Sequence, residues 1–208
     1  MQQPLQFDLN LIRRLDRSGP RYTSYPTADR FSNGFTARQY ESAARRRITG
    51  GIRRPLSIYV HLPFCATLCY YCACNKIATR DRAKGREYLG YVAREIAMQE
   101  KLLAADRRVT QMHWGGGTPT FHGDADLEKL NAHLRAAFEF APDGDYSIEI
   151  DPRTVDAERV GALRAMGFNR VSLGVQDFDP DVQQAVHRLQ DEAQTMAVVK
   201  AARASRFA

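Results

Sequence analysis

Cys65, Cys69, Cys72 and Cys74 are the only cysteines of this 208-residue chain, and they fall within ten residues of one another. A secreted, disulfide-bonded protein spreads its cysteines to staple distant loops. Clustering this tight points instead to a metal or cluster site in a reducing compartment. The run Cys65-x3-Cys69-x2-Cys72 lets one short loop offer three thiolates to three irons of a [4Fe–4S] cube. Cys74, two residues further on, is expected to point away from that cube and leave one iron open, the position where metal chemistry takes place. The competing reading is zinc, which normally pairs two cysteines with a second pair, or with histidines, well downstream. Four cysteines in ten residues crowd one side of a tetrahedron.

Other candidates are weaker when read singly. Gly116 and Gly117, in Gly115-Gly116-Gly117-Thr118, admit a close backbone approach to a ligand and offer N–H donors, although a tight strand-to-helix turn explains them equally well. Glu149 lies in an apolar segment, so its carboxylate either points inward and is paired or faces solvent. Gln176 suits a hydroxyl or carboxylate partner. Arg188 suits a carboxylate bidentately or is a solvated helix arginine. By residue type alone Tyr59 reads as core, and His61 as a hydrogen-bonded core histidine.

The elements that must position these residues follow from periodicity. We expect a helix over 36–48 with Thr36 as N-cap, a strand over 56–61, a helix over 86–105, a strand over 109–114 and a helix over 124–140. A strand over 146–150, a helix over 156–166 closed by Gly167, a strand over 170–175 and a helical stretch over 180–204 broken near 189–190 complete the pattern. Turn signals stand at 18–20, 25–26 and 33–34. Alternating strands and amphipathic helices imply parallel βαβ units, and the candidate residues fall just after the strands, where α/β folds place their active sites. The fold expected is α/β, an incomplete parallel (β/α) barrel of about four units over 55–208, preceded by a helical or irregular arm over 1–54. Four units do not close a barrel and leave a bare parallel edge. The chain is therefore expected to be an N-terminal portion truncated before a fifth strand, with a self-contained open sandwich as the alternative.

Apolar residues at 44% and charged residues at 26% are those of an ordinary globular protein. No apolar run is long enough to span a bilayer, and the N-terminus lacks a secretory signal layout, so a cytoplasmic protein without membrane attachment is expected. The net charge of +6 is densest at Arg45–Arg47 and Arg53–Arg54, a pattern typical of a solvated helix end. Aromatics interleaved with basic residues are absent there, which argues against nucleic acid.

Tyr71 before the third cysteine completes the C-x3-C-x-aromatic-C signature, and here the sequence resembles the radical S-adenosylmethionine (radical SAM) enzymes. The stretch from Tyr59 through Cys74 to Lys76 is similar to that of the oxygen-independent coproporphyrinogen III oxidases. So are Arg21–Thr27, His113–Thr120, Glu149–Pro152 and Gly174–Phe178. The resemblance covers residues 20–200, the first half of that family's length. It implies a [4Fe–4S] cluster on Cys65, Cys69 and Cys72 and two SAM molecules. Tyr59, Tyr71, Gly116, Gly117, Thr118, Glu149, Gln176 and Arg188 are implied as SAM contacts, and His61 and Cys74 as catalytic positions. The implied reaction uses a SAM-derived 5′-deoxyadenosyl radical to convert two propionates of coproporphyrinogen III to vinyl groups, giving protoporphyrinogen IX. An electron donor for the cluster and a monomeric state are implied with it. The alternatives are a haem-trafficking relative with the same cluster, a structural iron–sulfur or zinc module, and a catalytically inactive fragment.

Overall fold

The computed structural model describes residues 8–17, 27–47 and 54–208. The turn signals at 18–20 and 25–26, Arg53, and the similar stretch Arg21–Thr27 up to residue 26 lie outside the described residues. The chain divides into two units, Met1–Ser42 and Ala43–Ala208.

In the first unit, Asp8 caps helix α1 (Leu9–Leu15) by accepting the N–H groups of Asn10 and Leu11 at 2.9 and 3.0 Å. Asn33-Gly34 forms the expected turn. Helix α2 (Ala37–Arg46) begins in this unit and ends in the second, and it opens on a capping box. The Thr36 hydroxyl accepts from Gln39 N, and the Gln39 side chain accepts from Thr36 N at 2.7 Å.

The second unit is built on a four-stranded parallel sheet whose strands lie side by side in chain order. Its strands are β1 (Leu56–Leu62), β4 (Arg108–Gly116), β5 (Glu139–Ile150) and β6 (Arg170–Leu173). Two short strands, β2 (Phe64–Cys65) and β3 (Ile77–Ala78), pair with each other across the cysteine loop. Helices α3 (Arg82–Leu102), α4 (Asp124–Ala137), α5 (Ala157–Ala165), α6 (Pro180–Ala185) and α7 (Glu192–Ala204) follow in sequence.

Strand alternation divides the sheet into two chemically different faces. Val60, Leu62, Met112, Trp114, Ile148 and Ile150 form one core with Ile96 of α3, Leu127, Leu130 and Leu134 of α4, Leu163 of α5 and Val198 of α7. Trp114 meets Phe168 edge-on at 4.9 Å. The alternate positions on the same strands are Tyr59, His61, His113, Ser147, Glu149 and Ser172. Register aligns Tyr59 with His113 and Ser147, and Glu149 with Ser172. Helices cover the apolar face, and the polar face carries the candidate residues Tyr59, His61 and Glu149. No helix among the described residues is long and apolar enough to cross a membrane.

Several boundaries differ from expectation for local reasons. Helix α3 begins four residues earlier because Asp81 caps it through Ala83 N at 2.9 Å. Gly85 is tolerated inside it because a Cβ there would lie 3.0 Å from the buried His122 ring. Helix α4 ends at Ala137, since Phe138 turns extended and Glu139 already pairs with Arg108 in β5. Strand β5 is thereby longer than expected, with an irregular register opposite Val109–Gln111. Strand β6 stops at Leu173, and Gln176 adopts φ +66°. The break between α6 and α7 is stapled by Gln183, which accepts from Gln190 N at 2.8 Å and donates to Gln190 O at 2.9 Å. Gly167, at φ +97°, closes α5 as expected. Within the basic patch, Arg47 is not a solvated residue. It turns inward against Asp106 at 3.7 Å and donates to the Arg54 carbonyl.

Candidate functional site

The C-terminal ends of the sheet strands open into a cavity of about 510 Å³. Cys65, Cys69, Cys72, Cys74 and Tyr71 line it from the cysteine loop. Gly116, Gly117 and Thr118 line it from the end of β4, Glu149 and Asp151 from the end of β5, and Gln176 and Arg188 from beyond β6. Eleven of the thirteen residues singled out in the sequence therefore share one space. Tyr59 and His61 do not line it but adjoin it on the polar face. The Tyr59 hydroxyl is 3.1 Å from His61 Nδ1, and His61 Nε2 is 2.9 Å from the Asn75 carbonyl. Neither residue is the core residue that its type suggested: Tyr59 is 57% exposed.

The cysteine loop is held at both ends and at its tip. Ile77 N donates to Pro63 O and Thr79 N to Cys65 O, at 2.7 and 2.9 Å. At the tip, Tyr70 N donates to Val186 O at 3.0 Å, the rings of Tyr70 and His187 stack at 5.1 Å, and His187 Nδ1 lies 2.8 Å from Leu68 O. Burial pushes the Cys65 thiol up, with the Thr118 hydroxyl 3.5 Å away acting in the opposite sense. Burial, followed by a hydrogen bond with Cys72, also pushes up the Cys74 thiol.

The glycine triplet serves the chain itself before any ligand. Gly116 N donates to Glu149 Oε2 at 3.0 Å, Gly117 N to Leu62 O at 2.9 Å and Thr118 N to Phe64 O at 2.9 Å. The N–H groups of Gly116 and Gly117 are thus used internally, which corrects the expectation that they are available to a ligand. Gly116 sits at φ +117°, where a Cβ would also meet the His61 ring at 2.8 Å; at Gly117 a Cβ would lie 2.6 Å from the Pro63 carbonyl. Gly117→Ala forces a methyl against fixed backbone and is expected to cost about 2 kcal/mol. Gly116→Ala is expected to cost a similar amount through backbone strain. Urea unfolding checks both, and an unmoved midpoint for Gly117→Ala contradicts this docking.

Glu149 is paired rather than free. Besides accepting from Gly116 N, it lies 3.6 Å from His113 Nε2, while His113 Nδ1 contacts Ser147 Oγ at 2.6 Å and its ring stacks on Tyr59. Arg188 is not a solvated helix residue: it lies in the break between α6 and α7 and is 8% exposed. Its partners are Asp151 at 3.4 Å, Gly174 O at 2.8 Å, Gln190 Oε1 at 3.2 Å and Cys69 Sγ at 3.8 Å.

Sequence reasoning assigned no role to Arg153, His113 or Arg159. Arg153 grips the Asp151 carboxylate, with Nη2 to Oδ2 at 2.6 Å. Burial alone would raise the Asp151 pKa, but the bonds and charges of Arg153 and Arg188 outweigh it and hold the carboxyl below its ordinary value. Arg159, from α5, ties the turns after β4 and β5 together through Thr120 O and Thr154 O, both at 2.9 Å. Asp151-Pro152-Arg153, directly after a strand, was the available signal for the first pair. His113 and Arg159 carry no comparable local signal.

Among the described residues no three His, Cys, Asp or Glu side chains converge as a single metal ion needs. A cube makes no such demand, because each thiolate binds a different iron. Three cysteines of one loop around one cavity fit a cluster of that kind. The Radical SAM superfamily model matches residues 59–208. The chain belongs to the radical SAM superfamily.

Other comparisons narrow the similarity within that superfamily. The chain is 49% identical over its whole length to the oxygen-independent coproporphyrinogen III oxidase of Pseudomonas aeruginosa, of which it covers 45%. It is 47% identical over 97% of its length to the Escherichia coli protein of the same name, covering 43% of it. The solved coproporphyrinogen III oxidase of Escherichia coli, described as a radical SAM enzyme, superposes with a TM-score of 0.86 at 45% identity, over 99% of this chain and 44% of that one. This radical SAM chain thus spans less than half the length of the curated relatives it matches.

Proposed function

We propose that this chain forms the cluster- and SAM-binding part of a coproporphyrinogen III oxidase, which converts two propionates of its substrate to vinyl groups and gives protoporphyrinogen IX. The observation that carries the reading is the cysteine loop closed over Gly116–Thr118 and Glu149, in a chain half identical throughout to enzymes of that name. Cys65, Cys69 and Cys72 are the iron ligands, and the iron without a cysteine takes SAM. When bound, cluster and SAM supply one electron and, through it, hydrogen-atom abstraction from a propionate.

The chain's own residues bind and orient. Tyr59, Tyr71, Gly116, Gly117, Thr118, Glu149, Gln176 and Arg188 contact SAM. With their N–H groups engaged internally, Gly116 and Gly117 contribute bare surface and Glu149 its remaining acceptor capacity. His61 and Cys74 handle protons or substrate beside the open iron. Residues 1–54 serve as an arm and 55–208 as a partial barrel. The protein is read as cytoplasmic and monomeric, with a separate electron donor and without membrane or nucleic-acid partners.

Anaerobic reconstitution with iron and sulfide tests this. The chain is expected to take up about four irons and to bind SAM in equilibrium dialysis. Cys65→Ser, Cys69→Ser and Cys72→Ser each lose most of the iron, whereas Cys74→Ser retains it. One zinc and no iron in the wild-type chain contradicts the cluster reading.

A further inference from the structure

One buried carboxylate holds two arginines, and one of them reaches a cysteine of the loop. Asp151 and Arg188 have side chains only 8% and 9% exposed and approach to 3.4 Å. Arg153 clasps the same carboxylate from the other side, Nε to Oδ1 at 3.0 Å and Nη2 to Oδ2 at 2.6 Å. Arg188 Nη1 points at Cys69 Sγ from 3.8 Å, and Arg153, bound to the same carboxylate, lines the same cavity as that sulfur. The other two cysteines have different neighbours. Cys65 faces the neutral Thr118 hydroxyl, and Lys76 Nζ binds the carbonyl of Cys72 at 2.6 Å.

We propose that Arg188, donating to the Cys69 thiolate, and Arg153, held beside it by Asp151, keep the reduction potential of the bound cluster above that of the same loop without them. The inference rests on the cluster reading above. Reduction adds one electron and makes the cluster and its thiolates one charge more negative. N–H donors and positive charge at a ligating sulfur therefore stabilise the reduced form more than the oxidised one. Two guanidinium groups against one carboxylate leave a net positive charge beside Cys69. Burial keeps that charge from being screened as it would be in water. Asp151 acts as the positioning residue: it fixes both guanidinium groups.

The test is the midpoint potential of the anaerobically reconstituted full chain, measured by reductive titration and followed by electron paramagnetic resonance. Iron content is determined on the same samples. Arg153→Gln is expected to lower the reduction equilibrium constant about tenfold, a shift of about 59 mV for one electron, at unchanged iron content. Arg153→Lys, which keeps the charge but loses the fork, is expected to lower it by less. Full iron loading of Arg153→Gln at the wild-type potential overturns the proposal. If Arg153→Gln fails to load, a loaded Arg153→Lys at the wild-type potential overturns it instead. A wild-type chain that takes up no iron refutes the cluster reading, and this inference with it. A purely structural role for Arg153 changes iron content or unfolding without moving the potential.

Discussion

Asp151→Asn is expected to destabilise the chain by about 3–5 kcal/mol, as is usual when one partner of a buried ion pair is removed. The substitution is nearly isosteric, so the loss is electrostatic rather than a cavity effect. Arg188 keeps its bonds to Gly174 O and Gln190 Oε1 but loses its counter-charge at a site only 9% exposed. Arg153 loses its bidentate partner at the same time. The damage extends to the cysteine loop, because Arg188 is one of the groups that reach Cys69. Urea unfolding of the metal-free chain measures the effect. The double variant Asp151→Asn/Arg188→Met is expected to recover part of the loss, since it removes the unpaired charge as well. A single variant as stable as the parent indicates that water reaches Arg188.

Acid is expected to destabilise the chain through His122 before the carboxylates titrate. The residue follows the turn after β4, is 2% exposed and packs edge-on against Phe64 and Phe121. Its Nε2 has no hydrogen-bond partner. Burial pushes its pKa down to about 4, Asp126 opposing and Arg82 and Arg159 assisting. In the unfolded chain the value is 6.5. Between these values the unfolded state binds more protons, so stability rises with pH across that window. The contribution is complete above 6.5 and is lost as pH falls toward about 4, a loss of about 3 kcal/mol. His122→Leu is expected to flatten this part of the profile. Unfolding free energies of both proteins at neutral pH and near the lower limit test it, and parallel profiles contradict the assignment.

Much of the fold was legible because the local signals agree with one another. Strand β1 alternates Tyr59 and His61 with Val60 and Leu62, and that alternation is the partition between core and polar face. Thr36 with Gln39, and Gly167, ended their helices as capping chemistry requires. The first half of β5 was not legible, because Glu139 and Phe140 continue a helical pattern and become strand only by pairing with Arg108 and Val109. Gly85 lies just before the helix expected from the sequence, and only the His122 ring against it explains why a glycine belongs there.

The site divides along the same line. Type and spacing alone determined the cysteine loop, the glycine triplet and the strand ends that carry them, because those properties are encoded within a few consecutive residues. Tertiary structure decided what each group does with its bonds. It consumed the N–H groups of Gly116–Thr118, paired Glu149 with His113, joined Arg153 and Arg188 to Asp151, and brought Arg188 onto Cys69. Cys69 and Arg188 are 119 residues apart in the chain. Their contact arises only when the β5 and β6 ends and the α6–α7 break fold against one loop, and no local spacing can encode a distance that packing creates.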